Sequence, residues 1–179
     1  RDVSMHSRHR ILHGLGEGAE LVGRVPLEAN LDLLGYISFS KGCYVGQELI
    51  ARTKHKGLVR KRLLPFIRTL GGGSAGAPTG SSNKAQQLDA AVVRSILTVT
   101  AVAAAPSSEA EKVGVGALLR AGTTAVGEVA AVSIAQDMGI AKVALKAVLG
   151  DAALDGLIVE SGQGHELPVE LYLPQWWPE

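Results

Sequence analysis

Short apolar runs in the second half of the chain constrain its fold more than any other feature. Val113–Leu119, Gly127–Ile134, Ile140–Leu149, Leu157–Glu160 and Leu167–Leu173 each have the length of a strand. Turn-forming residues separate most of them: Gly122-Thr123-Thr124, Gln136-Asp137-Met138-Gly139, Gly150-Asp151 and Ser161-Gly162-Gln163-Gly164. Strands this short, at this spacing, predict a compact barrel or sandwich. Val92–Ala103, followed by Pro106-Ser107-Ser108, would add one more strand. The abundant alanines leave a helical alternative for residues 85–105 and 140–153 on propensity alone.

The first third has a different pattern. Gly14, Gly16, Gly18 and Gly23 mark residues 10–25 as loop, and glycines spaced by two miss the G-x-G-x-x-G pattern of a dinucleotide site. Pro26 suits the first turn of a short helix with Leu27, Leu31 and Leu34 on one face and Gly35 as its C-terminal cap. Tyr36–Ser40 is β-rich. A second short helix is expected from Gly46, with Val45, Leu49 and Ile50 as its buried side and Gln47, Glu48 and Arg52 turned to a pocket; Gly57 ends it. Leu58–Phe66 reads as a strand. Residues 70–83, rich in Gly, Ser, Ala and Pro, read as a flexible connection or a tolerated insertion.

With 46% hydrophobic and 20% charged residues in 179, the composition is that of a globular protein. A net charge of +1 supplies no global field toward nucleic acid or anionic membrane, so any attraction to anions has to be local. The one dense basic segment comprises Arg52, Lys54, Lys56, Arg60, Lys61 and Arg62, with His55 among them. A solvated strand edge is its plainest reading. RNA contact ranks last because aromatics are not interleaved with the cations. No apolar run reaches the length of about 18 residues that a membrane span needs. A single cysteine excludes an internal disulfide and a zinc site built on paired cysteines, and it fits a reducing compartment. His6, His9, His13, His55 and His165 show no metal-ligand spacing and read as surface histidines.

That cysteine, Cys43, follows Lys41 and Gly42 and precedes Tyr44, Gly46, Gln47 and Glu48. An ammonium beside the thiol and a helix N-terminus after it would both favour the reactive thiolate. The competing reading, a small buried hydrophobe, is the more usual fate of a free cysteine. Tyr44 suits stacking on a flat heterocycle or core packing. Gln47 and Glu48 suit hydrogen bonds to such a ring or capping of the helix start. Gly42 and Gly46 permit a tight turn or a close approach to a ligand.

Lys41-Gly42-Cys43-Tyr44-Val45-Gly46-Gln47-Glu48 resembles the K-G-C-[YF]-x-G-Q-E signature of the YgfZ branch of the folate-binding GcvT-like family. The likeness extends in register to Pro26-Leu27-Glu28, Asn30-Leu31, Ser38–Lys41, Ala51-Arg52-Thr53 and Gly57–Arg62. Pro174-Gln175-Trp176-Trp177-Pro178 further resembles the Trp-Trp-Pro close of the branch that acts late in mitochondrial iron–sulfur cluster assembly. The resemblance implies an α+β fold: the C-terminal part of a GcvT-like α/β domain in residues 1–57, then a small antiparallel β-barrel in 58–179. There, Val126-Gly127-Glu128-Val129 stands where relatives place a strand and Gly139-Ile140-Ala141 where they place a turn. In such relatives an N-terminal half builds most of the folate pocket and holds the acid of the related aminomethyltransferases, so one-carbon transfer is disfavoured here. The chain reads as processed, incomplete or one piece of a longer protein. The basic residues 1–10 superficially suit a transit peptide, a reading rejected because the likeness already begins at Pro26.

The resemblance favours a semi-exposed working thiol. Its implied function is that of a non-enzymatic accessory factor in maturation of iron–sulfur (4Fe-4S) proteins, in the mitochondrial matrix or, alternatively, a bacterial cytoplasm. Cys43 and Lys41 would be the thiol and its activator. Gly42, Tyr44, Gly46, Gln47, Glu48 and Arg52 would contact tetrahydrofolate, whose polyglutamate tail the basic segment would guide. One thiolate cannot hold a cluster that takes about four, so Cys43 would meet a cluster only transiently, shared with a partner's cysteines. Carrier or client proteins are the implied partners, along with a second polypeptide completing the fold. The alternative is a family scaffold recruited as a structural subunit of a respiratory complex or ribosome. The closing tryptophans read as a tail packed over a domain seam, or else as a partner anchor.

Overall fold

A computed structural model of the chain describes residues 3–69, 86–88, 93, 112–133, 136–149 and 156–178. The expected insertion at 70–83, the Val92–Ala103 strand apart from Val93, the Pro106 turn and the Gly150-Asp151 turn lie outside them. Helix α1 (Val3–Leu12) and a 3-10 turn (Gly18–Leu21) lead to α2 (Gln47–Lys56). Then follow β1 (Lys61–Arg68), β2 (Gln86–Gln87), β3 (Leu118–Ala121), β4 (Thr124–Val132), β5 (Met138–Ala144), a helical turn (Leu145–Leu149), β6 (Leu157–Glu160) and β7 (Glu166–Leu173).

Six of these strands close on themselves in the order β1-β5-β4-β3-β6-β7, with β7 returning to β1. Every pairing in that ring is antiparallel. β2 adds a short parallel contact to β7. The fold is therefore α+β with a small closed barrel, and closure leaves its six strands without the unpaired edges that invite association. Apolar runs foretold β6 and β7 to within one residue, and strand chemistry prevailed over helix propensity at residues 138–144.

The side-chain pattern follows from what covers each face. β7 alternates: Leu167, Val169 and Leu171 point into the barrel, while Glu166, Pro168 and Glu170 are exposed. β1 is buried continuously from Arg62 to Phe66 because both of its faces are covered. Leu64 and Phe66 enter the barrel interior with Val129, Ala141, Val143 and Val159, whereas Leu63 joins Ile11 and Leu12 of α1, Met138 and Ile140 in a second core outside. Helix α1 thus roofs the β1–β5 face. Two ionic contacts anchor it. Arg8, which is buried, lies 2.9 Å from the half-buried Asp137, although the N–H vectors are not aligned on the carboxylate. Arg10 grips Glu20 through two hydrogen bonds of 2.6 and 2.7 Å.

Gly139 corrects one expectation: Gly139-Ile140-Ala141 lies inside β5 and is not a turn. Its glycine is there for space, since it pairs with Phe66 across the ladder and the Phe66 ring fills the volume a side chain would take. A Cβ at Gly139 would come within 2.5 Å of Phe66 Cζ and would press still closer on the Ala131 carbonyl oxygen. Gly139→Ala is expected to cost about 1–3 kcal/mol, the usual penalty of overpacking. Denaturant unfolding reads this as a lower midpoint at unchanged slope; an unchanged midpoint would show that Phe66 yields freely.

The helix expected after Pro26 is two separate turns. Asn30 adopts a φ of 65° and breaks the run, and its side-chain amide donates to the Leu63 carbonyl at 2.7 Å. That bond ties the loop to β1, a long-range demand that local periodicity does not record. The closing signal was read correctly, since Tyr36 and Gly35 N–H groups bond back to the Leu31 and Asp32 carbonyls. Tyr36–Ser40 pairs with no strand among the described residues, and β1 begins at Lys61, three residues after the expected Leu58.

Candidate functional site

The signature occupies the turn that enters α2. Gly46 has a φ of 83°, a left-handed conformation that side chains other than glycine's rarely adopt, so the chain can swing from the Cys43 segment into the helix. Gln47 closes the turn: its Oε1 accepts the Tyr44 N–H at 3.1 Å and its own N–H donates to the Tyr44 carbonyl at 3.2 Å. No side chain caps the start of α2, so the Gln47 amide holds the preceding turn and not the helix N-terminus. Glu48 sits in the first turn of α2, where a negative charge favours the helix dipole, and Lys54, His55 and Lys56 occupy the last.

Cys43 is a free, exposed thiol. Lys41, Gly42, Tyr44, Gly46, Glu48 and Arg52 are exposed with it, and Gln47 is half-buried. The Lys41 ammonium lies 4.4 Å from the centre of the Tyr44 ring and the Lys54 ammonium 4.7 Å from that of Phe39, two cation–π contacts that the residue pattern did not suggest. Lys54 and Phe39 pin the chain before the signature to the far half of the helix. Seven of the eight site residues are exposed, and together they offer one thiol, one aromatic face and cations to solvent. Val45 and Leu49, expected to be buried, are 102% and 51% exposed. No residue of α2 is buried, because no part of the described structure lies over its apolar side.

Arg62 leaves the basic segment to which the sequence assigned it. It is 7% exposed and holds Asp32 through paired hydrogen bonds of 2.7 and 2.9 Å, with a third bond of 2.9 Å to the Leu27 carbonyl. This clamp fixes the loop before the signature onto β1. Burial alone would raise the Asp32 carboxyl, but the Arg62 hydrogen bonds and charge, with backbone N–H groups, outweigh it and hold the group below its ordinary 3.8. A depressed carboxyl stabilises the fold at pH values above that ordinary value and loses this contribution as pH falls through its folded value. Wild-type Tm should therefore drop below about pH 4 more steeply than that of Asp32→Asn, which lacks the titrating group. Parallel melting curves down to about pH 2 would contradict the assignment.

His9 and His13 are not isolated surface residues. They sit one helical turn apart with ring centroids 4.6 Å from each other, and His13 is half-buried. Burial, then the His9 charge, keeps the His13 imidazole below its ordinary 6.5. No group of three or more His, Cys, Asp or Glu side chains suited to a metal ion occurs among the described residues. The tryptophans close the structure as a packed tail: Trp177 enters the barrel core and Trp176 Nε1 donates to the His13 carbonyl at 2.9 Å. No described helix is long and apolar enough to cross a membrane.

No protein-family model matches the chain. Individual relatives do. A protein of Coccidioides immitis named as a mitochondrial iron–sulfur cluster assembly factor IBA57 homologue is 52% identical over 66 residues, 35% of this chain and 16% of its own length. A homologue of the same name from Phaeosphaeria nodorum is 47% identical over 85 residues, 46% of this chain and 21% of its own. One from Mycosarcoma maydis is 50% identical over 70 residues, 37% of this chain and 17% of its own. IBA57 proteins are YgfZ/GcvT-like. Over this segment the chain is similar to YgfZ/GcvT-like proteins. It spans about a fifth or less of the length of these relatives.

Proposed function

We propose that this chain is part of a mitochondrial accessory factor in the maturation of iron–sulfur proteins, with Cys43 as its working atom. The single observation that carries the reading is the exposure of the only thiol on the turn entering α2, within the signature of a family whose IBA57 members are named as cluster assembly factors. A lone thiolate supplies one ligand where a cluster takes about four. Cys43 therefore acts by joining a partner's cysteines around a cluster in transit, and the cluster is cargo.

Lys41 serves by keeping positive charge beside that approach while its ammonium rests on Tyr44. Gly46 sets the backbone turn that presents the sulfur, and Gln47 locks it. Tetrahydrofolate enters this reading through family resemblance, with Gly42, Tyr44, Gly46, Gln47, Glu48 and Arg52 as its contacts. The described residues fit it only in part, because Tyr44 already carries Lys41 on its ring and all of these residues but Gln47 are exposed. Partners are iron–sulfur carriers or clients.

The test is maturation of a [4Fe-4S] client in cells whose own copy of the gene encodes Cys43→Ser. Client activity is expected to collapse at unchanged protein level; normal activity would remove the thiol from the function.

A further inference from the structure

The pairing of His9 with His13 has no part in the thiol chemistry. Along the sequence their separation means little, but α1 is helical up to Leu12 and the His13 N–H continues its ladder by donating to the His9 carbonyl at 3.2 Å. Residues four apart then stand one above the other on the same side of the helix. Two imidazoles so placed are the arrangement by which a helix grips a transition-metal ion from one face. Their ring centroids lie 4.6 Å apart with the planes tilted by 49°, a separation that two metal–nitrogen bonds of about 2.0–2.1 Å can span.

The surroundings favour a cation there. The pair ends α1, and the carbonyl end of a helix attracts positive charge. The arginines flanking His9 bring no uncompensated charge, since Arg8 faces Asp137 and Arg10 faces Glu17 and Glu20. His13 is held from behind. Trp176 Nε1 donates to its carbonyl at 2.9 Å, and Gly14 next to it sits so close to Pro174 that a Cβ there would lie 3.1 Å from the ring. One ligand is thus positioned before an ion arrives, while the exposed His9 ring can turn to meet it. Metal-bound imidazoles are neutral, the form that burial already favours for His13.

We propose that His9 and His13 form a two-ligand site for a divalent transition-metal ion of the nickel, copper and zinc class, with water completing its coordination. No third His, Cys, Asp or Glu among the described residues joins the pair. Imidazole suits these ions, whereas magnesium and calcium take oxygen ligands. The ion ties the last turn of α1 to the start of the following loop. Through the Trp176 bond to His13 it also reaches the closing tail, so ion binding and seating of that tail reinforce each other. The site uses no atom of the proposed cluster chemistry.

The probe is nickel chloride, titrated into the native full-length protein by calorimetry while NMR follows the imidazole resonances, which the paramagnetic ion broadens. The His9 and His13 ring signals are expected to broaden at lower nickel than those of His6, His55 and His165. His9→Ala, at an exposed position that leaves the fold intact, is expected to weaken nickel binding at least about tenfold, and His13→Gln to do the same. His6→Ala should leave the affinity unchanged. Nickel should also raise the Tm of the wild type and not that of His9→Ala, whereas magnesium should shift neither. Affinity retained in His9→Ala or His13→Gln, or broadening that begins at another histidine, would overturn the site. Equal Tm rises in wild type and His9→Ala would overturn it as well, because the ion would then be acting elsewhere.

Discussion

Asp32→Ala is expected to destabilise the protein by about 3 kcal/mol, the lower end of what breaking one side of a buried ion pair costs. Arg62 would keep its charge at 9% side-chain exposure with only the Leu27 carbonyl to receive it. The lower end applies because the Asp32 side chain retains 13% exposure, enough for water to reach the vacated space. The loss should fall on the loop that carries the signature, since the clamp ties Asp32 and Leu27 to β1. Hydrogen exchange would then show faster exchange in residues 26–35 than in the barrel strands. The double variant Asp32→Leu/Arg62→Met removes both charges and should regain most of the stability. Equal losses in the single and double variants would show that the clamp contributes by shape and not by charge.

Cys43→Ser carries the largest functional effect and should carry almost no structural one. The side chain is exposed and buries nothing, so Tm should stay within a degree or two of wild type, as surface substitutions usually do. Serine keeps the size of the group and removes a soft anionic ligand, so whatever depends on sulfur is lost alone. Gly46→Val is the complementary change. It keeps the sulfur chemically intact but strains the left-handed turn that presents it, so it should impair the same process by shifting the Cys43 segment relative to α2.

Short strands were legible in the sequence because they obey local rules, while the choice of barrel over sandwich leaned on the family resemblance. β6 and β7 show apolar runs bounded by turns, and Gly57 and Gly35 mark ends that depend on a few neighbouring bonds. What sequence reasoning missed depended on distant partners. Asn30 breaks a helical periodicity to reach Leu63, and Arg62 looks like any other cation in a basic run until Asp32 arrives thirty positions earlier in the chain to pair with it. β1 shows the same limit from the other side: its continuous burial makes sense only once α1 is known to cover its outer face. Within the signature, the residue types pointed to the turn, while the family resemblance, and not the residue types, favoured an exposed thiol over a buried one. The error lay in Val45 and Leu49, whose apolar character implied a core that the described chain does not supply.

The sulfur's openness to a partner is tested most directly by mixing the native protein with a cluster-loaded iron–sulfur carrier and recording native mass and cluster absorption. A complex that retains the cluster is expected, and Cys43→Ser should fail to hold the cluster in it. A cluster-bearing complex that forms equally well without the Cys43 thiol would contradict the account.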